Sequence, residues 1–390
     1  RSSDLHGTLA NGPQWTKGKS GTALQFDGKD DYVDCGDDAS LNITDEITLE
    51  AWFKPVYKSS GNFGFDDWIL VKGGAYRESF IFGPYSDHFL LAASNDGSAW
   101  DYWLSAPLVA GAWHHAIFTN KGGEGGKLYM DGLLVASNSS YVALKSDVTA
   151  NVFLGRRNSN YYKGLIDEVR VYNRALSAEE VRYHYNQGKP VGYWAMDEGE
   201  GARAFDASGN NNTGVLTNGP TWVEGKHGSA LSFDGVDDSV DVANDSSLGI
   251  TSNLTIEAWV NPSAITLPSG TWMSIAGKKD GHNLSGYGLV MGSYSPCRRW
   301  CFVVDNSGVC PANACEQIGR WDHLVGVYDG SKMYLYQNGI LQSTVVKSGN
   351  IGLSANSFKV ASMTSYGKFN GLIDEVKVYN YARTAEQIMQ

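Results

Sequence analysis

Residues 5–55 read LHGTLANGPQWTKGKSGTALQFDGKDDYVDCGDDASLNITDEITLEAWFKP, and residues 212–262 read NTGVLTNGPTWVEGKHGSALSFDGVDDSVDVANDSSLGITSNLTIEAWVNP. The two stretches align without a gap at an offset of 207, with 28 identical residues in 51 positions. The same offset relates GLIDEVRVYN at 164–173 to GLIDEVKVYN at 371–380. An internal repeat of this length indicates two homologous domains, which we place at residues 1–188 and 189–390.

The composition is that of a folded, acidic protein. The 390 residues carry a net charge of −11, with 42% hydrophobic and 19% charged residues. The apolar content excludes wholesale disorder. The acidic balance argues against a general nucleic-acid binder, which needs a basic face. No apolar run reaches the roughly 18 residues of a membrane helix, so we expect no membrane insertion.

Each repeat has the pattern of short strands joined by tight turns. Runs of β-branched and aromatic residues recur, as in Ile47–Phe53, and are typical of strands. Asp131-Gly132 and Asn338-Gly339 predict two-residue hairpins, because glycine accepts a positive φ there. The capping boxes Ser177–Glu180 and Thr384–Gln387 predict a short helix at the end of each repeat. The predicted fold class is therefore all-β, with two tandem sandwiches that each end in a short helix.

The order of motifs resembles a known family. The run G-x-A-L-x-F-D-G-x-D-D-x-V is followed by E-A-W-x-x-P, by W-x-H, by the hairpin and by G-L-I-D-E-V-x-V-Y-N. This order resembles the laminin G-like domain of the concanavalin A-like lectin/glucanase superfamily, in the form of bacterial and archaeal extracellular proteins. The resemblance covers nearly the whole chain, twice, and implies a jelly-roll β-sandwich. It leaves the function open, because the fold hosts lectins, enzymes and adhesive spacers alike.

Only the second domain contains a segment like KPVGYWAMDEGEGARAFDA, at residues 189–207. The resemblance implies that this segment holds the first strand of the domain. At the offset of 207, Arg1 corresponds to Ser208, so we expect the first domain to lack this strand. Either an upstream segment is missing from the chain, or the strand comes from elsewhere. An unfilled strand position could accept a strand donated by a neighbour.

Five cysteines bear on the cellular compartment. Cys35 stands alone and corresponds to Val242, which indicates a buried apolar position rather than a reactive thiol. The others cluster in the second domain: Cys297, Cys301, Cys310 and Cys315. Nested pairs 301–310 and 297–315 are the simplest of three connectivities, while the spacing fits zinc sites poorly. Disulfides indicate an extracellular or cell-surface protein.

Aspartates at the ends of turns predict calcium sites, because hard cations prefer oxygen ligands. In related jelly-roll proteins, the aspartate of the late strand resembles a ligand of a structural calcium. The alternative is that these carboxylates accept backbone N–H groups in turns. Strict strand alternation would place Asp374 on the opposite face from Ile373 and Glu375. The candidate ligands are Asp27 and Asp167 in the first domain and Asp197, Asp234 and Asp374 in the second, together with the neighbouring Asp30, Asp31, Asp237 and Asp238.

Aromatic residues in the most divergent part of the repeats are candidate glycan contacts. Pyranose faces stack on flat rings, and nearby polar side chains bond to the hydroxyls. The alternative is that aromatic residues fill the core, as we expect for Trp52, Trp113, Trp259 and Trp321. The candidate ligand-binding residues are Trp68, Tyr76, Trp100, Tyr102 and Trp103 in the first domain and Trp272, Tyr294 and Trp300 in the second.

Catalytic motifs are not found in the sequence. The E-x-D-x-E-like run of jelly-roll glycoside hydrolases does not occur, and Asp167-Glu168 and Asp374-Glu375 are expected to point to opposite strand faces. The sequence therefore favours a non-catalytic extracellular binding or adhesion protein that recognises glycans or surface proteins, with calcium-stabilised loops. One alternative is a subunit of a surface filament or layer that self-assembles by strand donation into the first domain. Another is the accessory carbohydrate-binding region of a larger enzyme.

Overall fold

A computed structural model of the chain describes residues 6–57, 67–73, 78–94, 102–140, 143–144, 150–263, 272–279, 285–294, 297–312 and 316–389. The chain divides into two units, Arg1–Tyr185 and Asn186–Gln390, which we call unit 1 and unit 2. Both consist mainly of antiparallel strands, so the predicted all-β fold class is confirmed. Among the described residues, neither helix is long and apolar enough to cross a membrane.

The strands of unit 1 form two sheets and a small hairpin. They are β1 Thr8–Ala10, β2 Gln14–Lys17, β3 Thr22–Asp27, β4 Tyr32–Asp34, β5 Ile47–Pro55, β6 Leu70–Lys72, β7 Phe80–Tyr85, β8 His88–Ala93, β9 Tyr102–Pro107, β10 His114–Lys121, β11 Gly125–Met130, β12 Leu133–Asn138, β13 Val152–Leu154, β14 Arg156–Arg157, β15 Asn160–Tyr161 and β16 Lys163–Tyr172. The front sheet has the order β1-β4-β13-β6-β7-β8-β9, and the back sheet has the order β12-β11-β10-β5-β16-β3-β2. Helix α1, Ala178–Asn186, follows the last strand.

Unit 2 repeats this arrangement. Its strands are β17 Gly192–Trp194, β18 Arg203–Ala204, β19 Gly214–Thr217, β20 Thr221–Glu224, β21 Ser229–Asp234, β22 Ser239–Val242, β23 Leu254–Pro262, β24 Trp272–Lys279, β25 Gly286–Tyr294, β26 Cys297–Val304, β27 Ser307–Val309, β28 Asp322–Tyr328, β29 Lys332–Gln337, β30 Ile340–Val346, β31 Phe358–Val360 and β32 Asn370–Tyr379. The front sheet has the order β18-β19-β22-β31-β24-β25-β26-β27, and the back sheet has the order β20-β21-β32-β23-β28-β29-β30, with β17 also paired to β32. Helix α2 spans Ala385–Ile388.

The core of each unit lies between its two sheets. Alternate residues of each strand point inward, as expected for a sandwich of antiparallel sheets. In unit 1, Phe53 of the back sheet lies 5.0 Å from Phe89 of the front sheet, measured between ring centroids. In unit 2, Trp194 of the back sheet stacks on Phe358 of the front sheet at 4.8 Å. The four tryptophans expected to fill these cores are not in them, because Trp52, Trp113, Trp259 and Trp321 lie outside both core clusters.

The helices cover part of the outer face of the back sheets. In unit 1, Val181 of α1 packs against Ile117 and Tyr129, and in unit 2 Ile388 of α2 packs against Val325 and Val327. Both capping boxes are confirmed. Ser177 and Glu180 each bond to the other's backbone N–H group, as do Thr384 and Gln387.

The predicted hairpins are also confirmed. Asp131 and Gly132 have φ values of 50° and 80°, and Asn338 and Gly339 have 52° and 77°. Two successive positive φ values are those of the turn that matches the twist of paired strands.

The late strand of each unit contains a bulge that the sequence pattern did not predict. The pairing of β32 with β23 shifts register beyond Asp374, and Glu375 has a φ of 54°. The core-facing residues are therefore Ile373, then Val376 and Val378, while Glu375 bonds to the hydroxyl of Tyr193. The expectation that Glu375 shares a face with Ile373 is wrong, because a bulge adds one residue and breaks the strict alternation of side chains. For the same reason Asp374 and Glu375 do not point to opposite faces, since both lie between the core residues Ile373 and Val376. Unit 1 has the same shift next to Asp167, with Glu168 at a φ of 49°.

The segment expected to form the first strand does so in unit 2. β17 pairs with Val376–Val378 of β32, and Trp194 is fully buried with its indole N–H bonded to the carbonyl of Asn212. At the offset of 207, the corresponding residues of unit 1 are Val169–Val171. Among the described residues of unit 1, no strand occupies the position that β17 has in unit 2.

The cysteines follow the sequence prediction where the structure describes them. Cys301 and Cys310 form a disulfide across the β26–β27 hairpin. The second predicted pair cannot be assigned, because Cys315 and the side chain of Cys297 lie outside the described parts of the chain. Cys35 is a free thiol that packs, partly buried, against the core of unit 1. Burial and the adjacent Asp34 raise the pKa of the Cys35 thiol to about 11, so it is un-ionised at neutral pH.

Candidate functional site

The outer face of the front sheet of unit 1 carries a column of three aromatic rings. Trp68, which precedes β6, stacks on Tyr85 at the end of β7, with 5.8 Å between ring centroids. Tyr85 in turn meets the edge of Trp103 of β9 at 5.7 Å and 90°. The exposed fraction rises along the column, from 1% for Trp68 to 50% for Trp103. The column is therefore anchored in the protein at one end and offers a large flat ring to solvent at the other.

Local backbone geometry explains why Trp68 sits so close to the sheet. A Cβ atom on Gly83 of β7 would lie 2.5 Å from the backbone nitrogen of Ile69 and 2.8 Å from the Cα atom of Trp68. Only glycine permits this approach. Trp68 then packs with Val71, Ile81 and other apolar residues on the same face of the sheet, a cluster separate from the main core.

A buried ion pair lies beside the same column. The guanidinium of Arg157 is 5.7 Å from the centroid of the Trp68 ring, and its Nε atom donates to Glu78 at 2.9 Å. The side chains of Arg157 and Glu78 are only 12% and 2% exposed. The ion pair thus lies at the buried end of the column, and the exposed ring of Trp103 is at the other end.

The other predicted ligand-binding residues of unit 1 remain untested. Tyr76 and Trp100 lie outside the described residues, and Tyr102 is placed in β9 without a described side chain. The prediction that Trp68 contacts a ligand is wrong, because its ring is buried in the column and cannot stack on a ligand. Arg157 and Glu78 were not among the predicted site residues.

The front sheet of unit 2 is covered differently. Met363 and Tyr366 pack with Val290 and with Cys301 of the disulfide on its outer face, where Trp272 is partly buried. Trp300 is fully buried on the opposite, core side, and its indole N–H points to Asp322. The prediction that Trp300 contacts a ligand is therefore wrong, and the side chain of Tyr294 lies outside the described set.

Each unit brings three aspartates together in the motif F-D-G-x-D-D, which forms the turn at the end of β3 in unit 1 and of β21 in unit 2. Carboxylate oxygens of Asp27, Asp30 and Asp31 lie within 4.8 Å of one another, and so do those of Asp234, Asp237 and Asp238. We call these clusters the acidic turns. Three converging carboxylates are donors that suit calcium, which takes six to eight oxygen ligands including water.

Internal hydrogen bonds use part of each acidic turn. In unit 1, Asp31 Oδ2 accepts the N–H of Asp27 at 2.9 Å, and Asp27 Oδ1 accepts the N–H of Lys29 at 2.8 Å. Asp238 and Asp234 repeat this arrangement in unit 2. Burial raises the pKa of Asp31, although the Asp27 N–H opposes it, and the negative charges of Asp27 and Asp30 raise it further.

The late-strand aspartates lie elsewhere. Asp374 Oδ2 accepts the backbone N–H groups of Lys226 and His227 at 2.9 and 3.0 Å, as Asp167 Oδ2 does for Lys19 and Ser20. Asp234 pairs with Asn370, four residues before Asp374 along β32, so the two carboxylates do not share the acidic turn.

Asp374 and Asp197 both bind the loop before β21. Asp197 Oδ1 accepts the N–H of Ser229 at 2.9 Å. Asp374 is fully buried, and its Oδ1 atom accepts no hydrogen bond that meets normal geometry from the described residues. Burial raises the pKa of Asp374 to about 6, against the opposing effect of the His227 and Lys226 N–H groups. The geometry of these carboxylates is that of turn caps.

A buried glutamate on the outer face of each back sheet bonds to several basic side chains. In unit 1, Glu50 bonds to His115 at 3.1 Å and to His184 of α1 at 2.8 Å. Burial alone would raise the pKa of Glu50, but these two histidines lower it to about 2. In unit 2, Glu257 bonds to Arg383 and to the hydroxyl of Tyr379.

Both units match one family model, described as the Concanavalin A-like lectin/glucanases superfamily, over residues 27–182 and 234–389. The chain belongs to this superfamily. The laminin G-like resemblance of the sequence is thereby confirmed. Among curated proteins, none matches the chain.

Three solved structures are similar to part or all of the chain. Domain 4 of AbnA, a GH43 extracellular arabinanase from Geobacillus stearothermophilus crystallised with arabinotriose, is 20% identical over 52% of this chain and 97% of its own, with a TM-score of 0.42. Domains LG4-5 of the mouse laminin alpha1 chain are 12% identical over 98% of this chain and 96% of theirs, with a TM-score of 0.30. A heptameric pentraxin from Limulus polyphemus is 16% identical over 41% and 79%, with a TM-score of 0.33.

Membership of the superfamily explains the strand arrangement that the two units share, but not the side chains on the outer faces of their front sheets. The two units share the Asp-Gly and Asn-Gly hairpins, the acidic turns and most of their strands, whereas their front sheets carry different side chains. Arg157 and Glu78 could not be paired from the sequence, since 79 residues separate them.

Proposed function

We propose that the chain is a non-catalytic extracellular binding protein whose unit 1 recognises glycans on its front sheet. The observation that carries the proposal is Trp103, a half-exposed ring held edge-on by Tyr85. A ring fixed by packing loses little conformational freedom on binding, so its contact area contributes fully to affinity. Pyranose rings present flat C–H faces that match such a surface.

The neighbouring polar groups support the same proposal. The Arg157–Glu78 pair is held rigid by burial and lies against the Trp68 end of the column. The pair thus fixes the buried end of the column, so that the ring of Trp103 at the other end is held in place by packing. The disulfide between Cys301 and Cys310 supports an extracellular location, because such bonds persist in oxidising compartments.

A glycan array probed with the intact chain tests the proposal. The Trp103→Ala variant should bind the recognised glycan at least about tenfold more weakly, the effect expected for a central aromatic contact. Trp15→Ala is the matched control, because Trp15 is 65% exposed and lies in β2 at the edge of the back sheet. Equal binding by both variants would contradict the proposal, as would the absence of any glycan hit for the native chain.

Calcium binding by the acidic turns accompanies this function. The supporting observation is that both units bring three carboxylates together in the same geometry. Burial raises the pKa values of Asp31 and Asp238, and repulsion from the neighbouring carboxylates raises them further. A divalent cation would offset this repulsion. Asp27 and Asp234 would be ligands, with the remaining oxygens supplied by the rest of the turn and by water.

A second candidate function is assembly by strand donation. The supporting observation is that Val169 and Val171 are only partly buried, whereas their counterparts Val376 and Val378, which pair with β17, are fully buried. A peptide with the sequence of residues 190–200 should bind to unit 1 and dissociate any oligomer held by donated strands. Light-scattering mass measures this, and a monomer of 42.4 kDa at all concentrations would exclude the assembly.

A further inference from the structure

A second group of aromatic rings in unit 1 surrounds an arginine. The guanidinium carbon of Arg156 lies over the ring of Tyr32, at 4.5 Å from its centroid. It is also 5.3 Å and 6.0 Å from the ring centroids of Phe153 and Tyr161. All four side chains are half-buried, and we call them the arginine cage. Because a cation is attracted to the face of an aromatic ring, the three rings together fix the position of the guanidinium.

The charge of Arg156 is not balanced by a carboxylate of the described residues. Its Nε atom donates to the carbonyl of Asn158 at 3.0 Å, whereas its Nη1 and Nη2 atoms bond to none of the residues that the structure describes. The neighbouring Arg157, by contrast, binds Glu78. The chain has 42 acidic and 31 basic residues, so an excess of cations does not explain the unpaired guanidinium. Nη1 and Nη2 present the fork of N–H groups that matches the two oxygens of a carboxylate.

Unit 2 has no arginine cage among its described residues. In unit 1, Phe153 pairs with Asp34 of β4, and Asp34 binds the carboxamide of Asn151. At the offset of 207, Asp34 corresponds to Asp241. Asp241 pairs with Lys359 of β31 and binds its Nζ atom at 3.0 Å. Where unit 2 has a neutralised ion pair, unit 1 therefore has an aromatic ring beneath an unbalanced cation.

The arginine cage and the exposed end of the aromatic column lie on the same face of the front sheet. A row of directly paired residues crosses this sheet from β13 to β9: Phe153 with Val71, Val71 with Ile81, Ile81 with Ala92, and Ala92 with Trp103. Directly paired residues point to the same side of a sheet. The row crosses four gaps between strands of about 4.8 Å each, so its ends are about 19 Å apart. An oligosaccharide can span this distance.

We propose that the arginine cage binds the carboxylate of an acidic sugar, so that the glycan recognised by unit 1 is acidic. The N–H groups on Nη1 and Nη2 of Arg156 would donate to the two carboxylate oxygens. The surrounding rings limit the access of water, which strengthens such bonds. This inference rests on the glycan recognition proposed above. A sugar acid is favoured over an acidic peptide because Trp103, on the same face, offers a flat surface to a pyranose ring.

Two matched pairs of probes test the proposal on the full chain. One pair is oligogalacturonate and its methyl ester, and the other is sialyllactose and its methyl ester. The pair that the chain discriminates identifies the acid as a uronic or a sialic acid. The native chain should bind the acid of one pair at least about tenfold more tightly than the ester, the effect expected for hydrogen bonds between charged groups. Isothermal titration measures both affinities.

Variants of the arginine assign this discrimination to the cage. Arg156→Gln should bind the acid as weakly as the native chain binds the ester. Arg156→Lys keeps the cation within the rings but loses the fork, so it should recover only part of the discrimination. Arg203→Gln is the matched control, because it removes the same charge from an exposed residue of β18 in unit 2. The thermal unfolding midpoint of each variant shows whether it is folded.

Equal binding of acid and ester by the native chain would overturn the proposal, as would an Arg156→Gln variant that still discriminates between them. A failure to bind every probe would overturn it too. If Trp103→Ala nevertheless weakens the binding of a neutral glycan, glycan recognition stands and only the acidic subsite is lost. Tighter binding of tetra-aspartate than of either sugar acid would also overturn the proposal, because the cage would then be a site for acidic peptides.

Discussion

Asp374 shows how a single carboxylate can cost stability while it organises a loop. It is fully buried and accepts two backbone N–H groups, yet burial raises its pKa to about 6 from 3.8. A raised pKa in the folded state means that the folded protein binds the proton more tightly. The stability that the protonated Asp374 carboxyl contributes is present below the pKa of the unfolded state and is lost as the pH rises through about 6.

We therefore predict that Asp374→Asn stabilises unit 2 at pH 7 to 8 in the presence of a chelator. The amide oxygen can still accept both N–H groups, and the neutral side chain avoids ionisation in the interior, a gain of up to about 3 kcal/mol. The gain should vanish below pH 4, where the native carboxyl is protonated. Urea unfolding across this pH range measures it.

Asp167→Asn is the companion variant, since Asp167 caps the equivalent loop of unit 1. Loss of stability in Asp374→Asn at pH 7 to 8 without calcium would contradict the prediction. A loss that appears only with calcium present would instead make Asp374 a ligand of the ion.

At this scale the sequence identified residue types better than their surroundings. Trp103 was expected to be available to a ligand and is half-exposed. Trp300, of the same type, is in the core, because the parity of β26 places it inward while Cys301 faces outward. A shift of one residue reverses the face of every side chain in a strand, and the flanking loops do not fix that parity in the sequence.

Among the elements, the β26–β27 hairpin depends on its disulfide. β27 has only 3 residues, and three residue pairs join it to β26, at the edge of the front sheet of unit 2. Cys301 and Cys310 are 9 residues apart. Closing a loop of this size reduces the entropy of the unfolded chain by the equivalent of about 2.5 kcal/mol.

The double variant Cys301→Ser/Cys310→Ser should thus lower the free energy of unfolding of unit 2 by about 2 to 3 kcal/mol. Scanning calorimetry of the intact chain measures this as a downward shift of one transition. The transition of unit 1 serves as the internal control, because its described residues contain no disulfide. Shifts of both transitions, or of neither, would argue against the prediction.

The elements also show which sequence signals are reliable. The Asp-Gly and Asn-Gly hairpins and the two capping boxes were predicted from local chemistry and are confirmed. The bulges after Asp167 and Asp374 were missed, because a non-glycine residue with a positive φ carries no compositional signal. These bulges are what turn Glu168 and Glu375 away from the core.

For the whole molecule, the duplicated acidic turn makes a stoichiometric prediction. If the turns bind calcium, the chain should bind two ions, one in each unit. Asp31→Asn should remove one equivalent and Asp238→Asn the other, because each substitution keeps the hydrogen bond to the preceding backbone N–H but deletes a charge. Isothermal titration of the chelator-treated chain measures the number of ions.

Calcium at 100 times its dissociation constant should then stabilise each unit by about 2.7 kcal/mol. A stoichiometry that neither substitution changes would show that the ions bind elsewhere. If no calcium binds, the acidic turns act through their internal hydrogen bonds alone.

The duplication itself was the most informative feature of the sequence. The same fold was predicted for each repeat, and the residues that agree between the repeats indicated the strands and turns that both units share. It said less about function, because ligand-facing residues are those in which the repeats differ, and a difference by itself does not distinguish Trp103 from Trp300. Pairs such as Arg157 and Glu78 become visible only when the strands are assembled.

The short stretch from Tyr185 to Trp194 has a practical consequence for anyone who separates the two halves of this gene. Tyr185 covers Trp52 in the first half, while the carboxamide of Asn186 bonds to Asn380 and Trp194 fills the core of the second half. The usable cut is therefore the single peptide bond between Tyr185 and Asn186. A first fragment that stops earlier would expose a tryptophan and tend to aggregate, and a second fragment that starts after Trp194 would lose one of the two tryptophans in its core.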